Sequence, residues 1–334
     1  MTFKVGLFAD LLDSRGEPTY GRAPLEVLNQ PGLEWEWVEG GYPEVTPEIA
    51  ARYDALHINL QRVTEATVSG LDRRLKVVAR NGVGYDTVDV AACTRQGVLV
   101  TNTPLAVRRP VAVAALTLVF ALTGRLFEKD ELVRTNRWND RNNFMGVGLT
   151  TRTLGIIGAG SIGQEIIRLA KPFFGRVLAT DPYVDKGVIG ALGADLLPFD
   201  DVMRQSDVVV ACCLLTPETR HIIDARALGL MKPTAYFVNV GRGPIHDEAA
   251  LADALSTGKI AGAGLDVTEI EPIPADSPLI GMKNTIITPH ALCWTDECFG
   301  DIATTALTSI VDALGGRRPK HLVNPEAWES WQSK

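Results

Sequence analysis

Three short segments place chemically capable side chains at the ends of β-branched runs. The first, Val238-Asn239-Val240-Gly241-Arg242-Gly243, joins a strand end, a glycine turn and an arginine. Parallel α/β sheets bind ligands at this edge, and there Arg242 can clamp a carboxylate in a bidentate fork that lysine cannot copy. The second is Gly264-Leu265-Asp266-Val267-Thr268-Glu269-Ile270-Glu271-Pro272. It sets Asp266 in an apolar strand and Glu271 just past its end, so one carboxylate is expected to be partly desolvated. The third, Thr288-Pro289-His290, puts an imidazole after the apolar strand Thr285–Ile287. Histidine changes charge near neutral pH and suits proton transfer. Each segment also has a plainer reading: an arginine in a surface turn, solvated loop acids at Glu269 and Glu271, a histidine satisfied by packing.

A fourth segment is suited to phosphate. Leu154–Ile157 runs into Gly158-Ala159-Gly160-Ser161-Ile162-Gly163 and then a helical stretch, Gln164–Ala170. A strand before and a helix after are the context that a dinucleotide fingerprint requires. Gly158 permits the tight turn, Gly160 lets the backbone approach a pyrophosphate, and Gly163 lets helix and strand pack closely. The phosphates would sit on the helix N-terminus. At the end of the next strand stands Asp181, whose carboxylate can accept both ribose hydroxyls of NAD and would repel the 2′-phosphate of NADP. Pro182-Tyr183-Val184 supplies no cation to reverse that preference. The expected cofactor is NAD; the alternative is a structural glycine turn followed by an ordinary surface aspartate. A fingerprint this far into the chain implies that another domain comes first.

These groups need a scaffold that gathers distant strand ends, and short β-branched runs alternating with helical patterns indicate a parallel sheet. Expected strands are Lys4–Phe8, Ala55–Asn59, Lys76–Ala79 and Val98–Thr101, then Thr153–Ile157, Arg176–Ala179, Val208–Ala211, Tyr236–Asn239, Gly264–Val267 and Thr285–Ile287. A short helix is expected over Val88–Arg95, capped by Asp86 or Thr87. One long helix is expected from Val111, after Pro110, to about Arg134, followed by a loop over Thr135–Thr151. A last amphipathic helix spans about Thr295 to Leu314. Residues 10–50 carry no motif that can be interpreted.

Composition sets the class. The 334 residues are 46% hydrophobic and 22% charged, with a formal net charge of −7, which excludes a disordered chain and argues against a broad nucleic-acid footprint. The length favours two domains. Five cysteines, odd in number and without a CxxC, suggest neither a disulfide framework nor a zinc site, so no metal is expected. The N-terminus lacks the pattern of a signal peptide. The most apolar stretch, Val111–Leu122, is bracketed by Arg109 and Arg125 and is too short to span a bilayer. A soluble, cytoplasmic protein with no membrane partner is expected.

Taken together, the motifs resemble those of the D-isomer-specific 2-hydroxyacid dehydrogenase family. Arg80-Asn81-Gly82-Val83-Gly84-Tyr85-Asp86-Thr87-Val88-Asp89 is similar to the family's substrate loop, and Val100-Thr101-Asn102-Thr103-Pro104 to its crossover. The glycine fingerprint, Leu214–Ile223 (which contains Thr216), the Asn239–Gly243 turn, Gly264–Pro272 and Thr288–His290 match in the same order, over about residues 50 to 315. The resemblance implies an α/β fold of two Rossmann-like lobes. The NAD lobe, 104–291, would be inserted into a discontinuous, flavodoxin-like catalytic lobe, 1–103 plus 292–334, with catalysis in the cleft.

By motif match, Arg242, Glu271 and His290 correspond to the family's arginine, glutamate and histidine. The resemblance further implies that Gly158, Gly160, Ser161, Ile162, Gly163, Asp181, Thr216 and Val240 contact NAD and that Asp266 meets the nicotinamide carboxamide. Arg80, Asn81 and the amides of Val83 and Gly84 would contact the substrate. His290 would then exchange a proton with the substrate oxygen. Glu271 would favour the imidazolium and orient it. Arg242 would bind the carboxylate and polarise the carbonyl.

The expected activity is hydride transfer between NAD(H) and a small 2-keto or 2-hydroxy acid, with glyoxylate, hydroxypyruvate and 3-phosphoglycerate as the nearest variants. The C-terminal regulatory domain of many phosphoglycerate dehydrogenases is not expected after the last helix, which weakens that variant without excluding its shorter forms. An NAD-sensing corepressor of the same fold is the alternative of another class. Two departures stand out. Arg108 and Arg109 precede the long helix, where they either recognise an anionic substrate or are simply solvated. Trp294, in Ala291-Leu292-Cys293-Trp294-Thr295, either lines the pocket or packs. Trp138 is expected near a partner subunit, which implies a homodimer.

Overall fold

The structure, a computed structural model, describes residues 2–70 and 73–331. The chain divides into two units, Met1–Val107 with Trp294–Lys334, and Arg108–Cys293.

In the first unit, β1 (Phe3–Phe8), β2 (Leu33–Val38), β3 (Ala55–Ile58), β4 (Val77–Arg80) and β5 (Leu99–Thr101) form a parallel sheet of order β2-β1-β3-β4-β5. Its central strands are apolar on both faces because helices cover both. On one face α1 (Pro47–Arg52), α2 (Glu65–Ser69) and α3 (Val90–Arg95) set Ile49, Val68 and Cys93 against Leu56, Ile58 and Val100. On the other, α11 (Asp296–Leu314) and α12 (Pro325–Trp331) set Phe299, Ala303 and Trp328 against Leu7, Ala79 and Leu99. Asn324 fastens this returning segment. Its Oδ1 accepts from the Val100 amide at 2.8 Å, and its Nδ2 donates to Val98 O at 2.9 Å.

Three expectations are corrected here. The short helix starts at Val90, not Val88, because Asp89 is its cap and accepts the Ala92 amide at 2.8 Å; neither Asp86 nor Thr87 caps it. Strand β2 lies in the stretch that carried no readable motif, and its alternation of Leu33, Trp35 and Trp37 with Glu34 and Glu36 was the available signal. Helix α12 was also absent from the sequence reading.

One consequence of this core is a pH dependence of stability. His57 on β3 is fully buried, and burial first, then the charge of Arg80, pulls its pKa down to about 4 against an opposing contribution from Asn81. His246, in the second unit, is also fully buried and is pulled down to about 4 by burial. Between roughly pH 6.5 and 4 the unfolded chain binds protons at these positions that the native chain does not, so stability falls as pH falls. By pH 5 the loss is about 2 kcal/mol per histidine. Urea midpoints measured at pH 7 and pH 5 test this, and His246→Asn should flatten the dependence.

In the second unit, β6 (Thr153–Ile157), β7 (Arg176–Thr180), β8 (Asp195–Leu196), β9 (Val208–Ala211), β10 (Tyr236–Asn239), β11 (Gly262–Leu265) and β12 (Thr285–Ile287) form a parallel sheet of order β12-β11-β10-β9-β6-β7-β8. The helices are α4 (Arg108–Gly124), α5 (Leu126–Arg134), α6 (Ser161–Ala170), α7 (Lys186–Ala191), α8 (Phe199–Gln205), α9 (Ala225–Leu230) and α10 (Glu248–Ser256). The strand order reverses between β6 and β9, the point at which such sheets bind dinucleotides.

Two more expectations are corrected in this unit. The single long helix is two, α4 and α5, bent by 57° where Arg125 adopts a left-handed φ of 54°. Its guanidinium holds that turn, donating to Glu128 at 3.1 Å and lying 4.9 Å over the Phe144 ring. The first helix also begins earlier, at Arg108, so Pro110 lies in the opening turn, where its missing N–H is not needed. No single helix among the described residues is long and apolar enough to cross a membrane. Strand β11 begins at Gly262 rather than Gly264, and its glycines are packing devices. A Cβ on Gly264 would lie 3.1 Å from Leu118 of α4, and one on Gly262 2.7 Å from Asn284 O. Asp266 therefore follows the strand instead of sitting within it.

Candidate active site

The glycine loop bridges β6 and α6 at the switch point. Gly158 has φ +94°, and a Cβ there would come within 2.6 Å of the Cys213 backbone. A Cβ on Gly163 would come within 2.1 Å of Gly158 O, so helix and loop touch. A Cβ on Gly160 would meet no protein atom within 4 Å. That open space before the amides of Ser161 and Ile162, at the positive end of α6, fits a dinucleotide's phosphates.

Asp181 accepts the Ala159 amide at 2.8 Å with Oδ2 and the Tyr183 amide at 2.8 Å with Oδ1. Asp181 thus anchors the loop. Thr216 forms a turn with Thr219, whose Oγ1 accepts its amide at 2.7 Å, and Val240 donates to Ala211 O at 3.1 Å.

Past the carboxyl ends of β10, β11 and β12 lie the three reactive segments. His290 Nδ1 is 2.8 Å from Glu271 Oε2, and Glu271 Oε1 accepts the Thr268 amide at 3.2 Å. Burial pushes the Glu271 carboxyl up. The hydrogen bond and charge of His290, the Thr268 amide and the charge of Arg242 outweigh it, so the group sits below the usual carboxylate range. The solvated-acid alternative therefore does not describe Glu271. His290 itself has a left-handed φ of 54°, a conformation that a residue with a Cβ holds only when its surroundings impose it. Asp266 imposes it. Only 5% exposed, its carboxylate accepts Thr288 Oγ1 at 2.6 Å and the amides of Ala291 and Leu292 at 3.1 Å, gripping the chain on both sides of the imidazole.

Arg242 is carried on a turn that Asn239 organises. Asn239 Nδ2 donates to Arg242 O at 2.9 Å and lies 2.9 Å from His246 Nδ1, while its Oδ1 accepts the Gly241 amide at 2.9 Å. Gly243 follows, and a Cβ there would lie 1.8 Å from Thr268 O, so the arginine turn and the acid segment are in backbone contact. Sequence reasoning missed Asn239, His246 and Thr268 as supports, because their role lies in pairings between distant segments.

The first unit carries the remaining candidates. Arg80 and Asn81 are buried, 6% and 5% exposed, and the Arg80 guanidinium donates to Asn81 O. The loop after them is pinned by Thr103, which accepts the Gly82 amide at 3.0 Å, and by Asn102, which donates to Val83 O at 2.9 Å. Among the described residues the amides of Val83 and Gly84 meet no protein acceptor. Trp294 lies with its ring 4.8 Å from that of Phe299. Arg109, in the second unit, is committed to Glu165 at 2.7 Å, and Glu165 also takes Arg168 at 3.0 Å.

A parallel sheet of this strand order, with a glycine loop and an acid at its switch point, defines a dinucleotide-binding α/β protein. The family model of the D-isomer specific 2-hydroxyacid dehydrogenase NAD binding domain matches residues 116–291. A glyoxylate reductase from Thermococcus onnurineus is 39% identical over 289 residues, 85% of this chain and 86% of that protein. A D-3-phosphoglycerate dehydrogenase from Mycobacterium leprae is 38% identical over 294 residues, 87% of this chain but 55% of that protein, so the chain spans about half the length of that relative. The crystal structure of a glyoxylate reductase from Paecilomyes thermophila superposes with a TM-score of 0.84 at 28% identity, covering 98% of this chain and 100% of that one. The chain belongs to the D-isomer-specific 2-hydroxyacid dehydrogenase family, and its cofactor is NAD(H).

Proposed function

We propose that this protein is a 2-keto acid reductase, transferring hydride between NAD(H) and a small 2-keto or 2-hydroxy acid. The observation that carries the reading is the 2.8 Å pairing of His290 with Glu271, past the carboxyl edge of the dinucleotide sheet. Because Nδ1 faces Glu271, Nε2 is the nitrogen left to donate a proton to the keto oxygen. NAD(H), when bound, would supply the hydride chemistry at the keto carbon. Arg242 binds the substrate carboxylate and draws charge from the carbonyl oxygen. Glu271 stabilises the imidazolium that must precede transfer.

Ser161 and Ile162 would hold the pyrophosphate, Asp181 the ribose, Thr216 and Val240 the adjoining part of the cofactor, and Asp266 the carboxamide. The amides of Val83 and Gly84 suit a carboxylate, with Arg80 and Asn81 shaping their loop and Trp294 contributing to the substrate's surroundings. Oxidation of 3-phosphoglycerate is the second reading, supported by the mycobacterial relative. Mixing the protein and NADH with glyoxylate, hydroxypyruvate, pyruvate and phosphohydroxypyruvate tests both. NADH absorbance should fall with at least one of the first three, and a flat trace across the panel with NADH still bound would overturn the reading.

We place the protein in the cytoplasm as a homodimer; its odd, irregularly spaced cysteines suit a reducing compartment. On α4, α5 and the turn after them, Phe120, Leu126, Phe127, Val133 and Trp138 are exposed, Trp138 to 61%. Large exposed apolar side chains on consecutive elements suit an interaction surface. Light scattering should give twice the 36.1 kDa chain mass, and Phe127→Glu with Trp138→Glu should shift the particle toward monomer.

A further inference from the structure

A second acid–imidazole pair lies beside the first. His221 Nε2 is 2.7 Å from Glu269 Oε1, two residues before Glu271, and His221, like His290, has a left-handed φ, here 52°. Glu269 is tied further. Arg220 approaches the same oxygen at 3.4 Å, and Oε2 accepts the amide of Glu248 at the start of α10 at 3.3 Å. In return, Glu248 Oε2 accepts the Glu269 amide at 3.0 Å. On its other side His221 is stitched to the arginine turn. Its amide donates to Pro244 O at 2.8 Å, and Ile223 and Asp247 exchange backbone bonds with the same strand of chain, at 3.1 Å to Ile245 O and 3.0 Å from Asp247 to Ile223 O.

Glu269 therefore links two pieces that carry no reacting atom, the Arg220–His221 segment and the start of α10, to the two that do. Through His221 it holds the Arg242 turn, and through its own backbone it fixes the segment on which Glu271 reaches His290. The plain alternative is a solvated salt bridge, of little worth to stability and indifferent to catalysis. A carboxylate with three contacts, on a segment whose neighbour Thr268 touches Gly243, is not an isolated surface pair.

We propose that Glu269 and His221 are positioning residues that set Glu271, and with it His290, against Arg242. The charged and titratable groups facing this pair are Arg220 from its own segment and Glu248 from α10, with His246 and Asp247 beside them. The inference rests on the catalytic roles proposed above for Glu271 and His290. Glu269→Ala and His221→Ala are made in the wild-type and the Glu271→Gln backgrounds of the full-length protein, with Kd for NADH and kcat for keto-acid reduction measured for each. The wild-type activity comes first: no turnover on any keto acid overturns the proposed function, and this proposal with it.

Given turnover, each alanine variant should lower kcat about tenfold in the wild-type background and less than twofold in Glu271→Gln, with NADH binding unchanged, since a contact acting through Glu271 cannot be lost twice. Equal losses in both backgrounds, or none in the wild type, would overturn the positioning role and leave the proposed function standing. Should Glu269→Ala not fold, Glu269→Gln read through the same cycle decides: it keeps one acceptor for His221 but turns a donor toward the Glu248 amide, and the same background-dependent loss is required of it.

Discussion

Replacing His290 with asparagine is expected to lower kcat for keto-acid reduction by about 10³-fold, within the range a positioned general acid contributes. Asparagine is close in size and keeps a hydrogen-bonding group near Glu271, but it has no proton to give the alkoxide forming at the substrate oxygen. The backbone at residue 290 is fixed by Asp266 from both sides and has a left-handed φ. Asparagine tolerates that conformation better than most residues, so the loss should be chemical, not structural. The check is a set of three measurements: kcat, Kd for NADH by fluorescence, and thermal midpoint. The first should collapse while the other two stay near wild type. A variant retaining a tenth of wild-type kcat would remove His290 from the reaction.

Arg242→Lys is the second large effect, expected to reduce kcat/KM by about 10²–10³-fold. Charge alone survives this change. What is lost is the planar fork, which can hold two carboxylate oxygens while another N–H faces the carbonyl. In the native chain Nη1 donates to Gly241 O at 2.9 Å, and Asn239 holds the Arg242 carbonyl, so the guanidinium leaves its turn in a defined direction. An ammonium on a flexible stem inherits none of that order. The loss should appear in kcat as well as KM, because the carbonyl is polarised most in the transition state. Glycolaldehyde, which lacks the carboxylate, supplies the control: the two proteins should differ far less on it.

Much of this site was legible because it is local. A glycine loop between a strand and a helix, and a polar residue at a strand end, are patterns within a few residues, and Arg242, Glu271, His290 and Asp181 all sit in such places. The supports were not legible, since Asn239 with His246, or Glu269 with His221, meet only after the chain has folded. Among the elements, Thr153–Ile157, Val208–Ala211, Tyr236–Asn239 and Thr285–Ile287 stand where their β-branched runs put them. Where glycine served packing and not turning, as at Gly262 and Gly264, the strand limit was misread. Arg125 hid the break in the long helix, because no propensity marks an arginine as a residue that turns left-handed; its ion pair and its stacking on Phe144 decide it.

The first unit takes its sheet from one end of the chain and the cover of one sheet face from the other. Strands β1 to β5 are synthesised first, yet Phe299, Ala303 and Trp328, which shield Leu7, Ala79 and Leu99, come off the ribosome after the whole second unit. At translation rates of about 5–20 residues per second, that apolar face waits on the order of ten seconds or more without its partner. Until those residues emerge the nascent chain exposes apolar surface that the folded unit buries, an aggregation hazard that comes from the order in which the polypeptide is made.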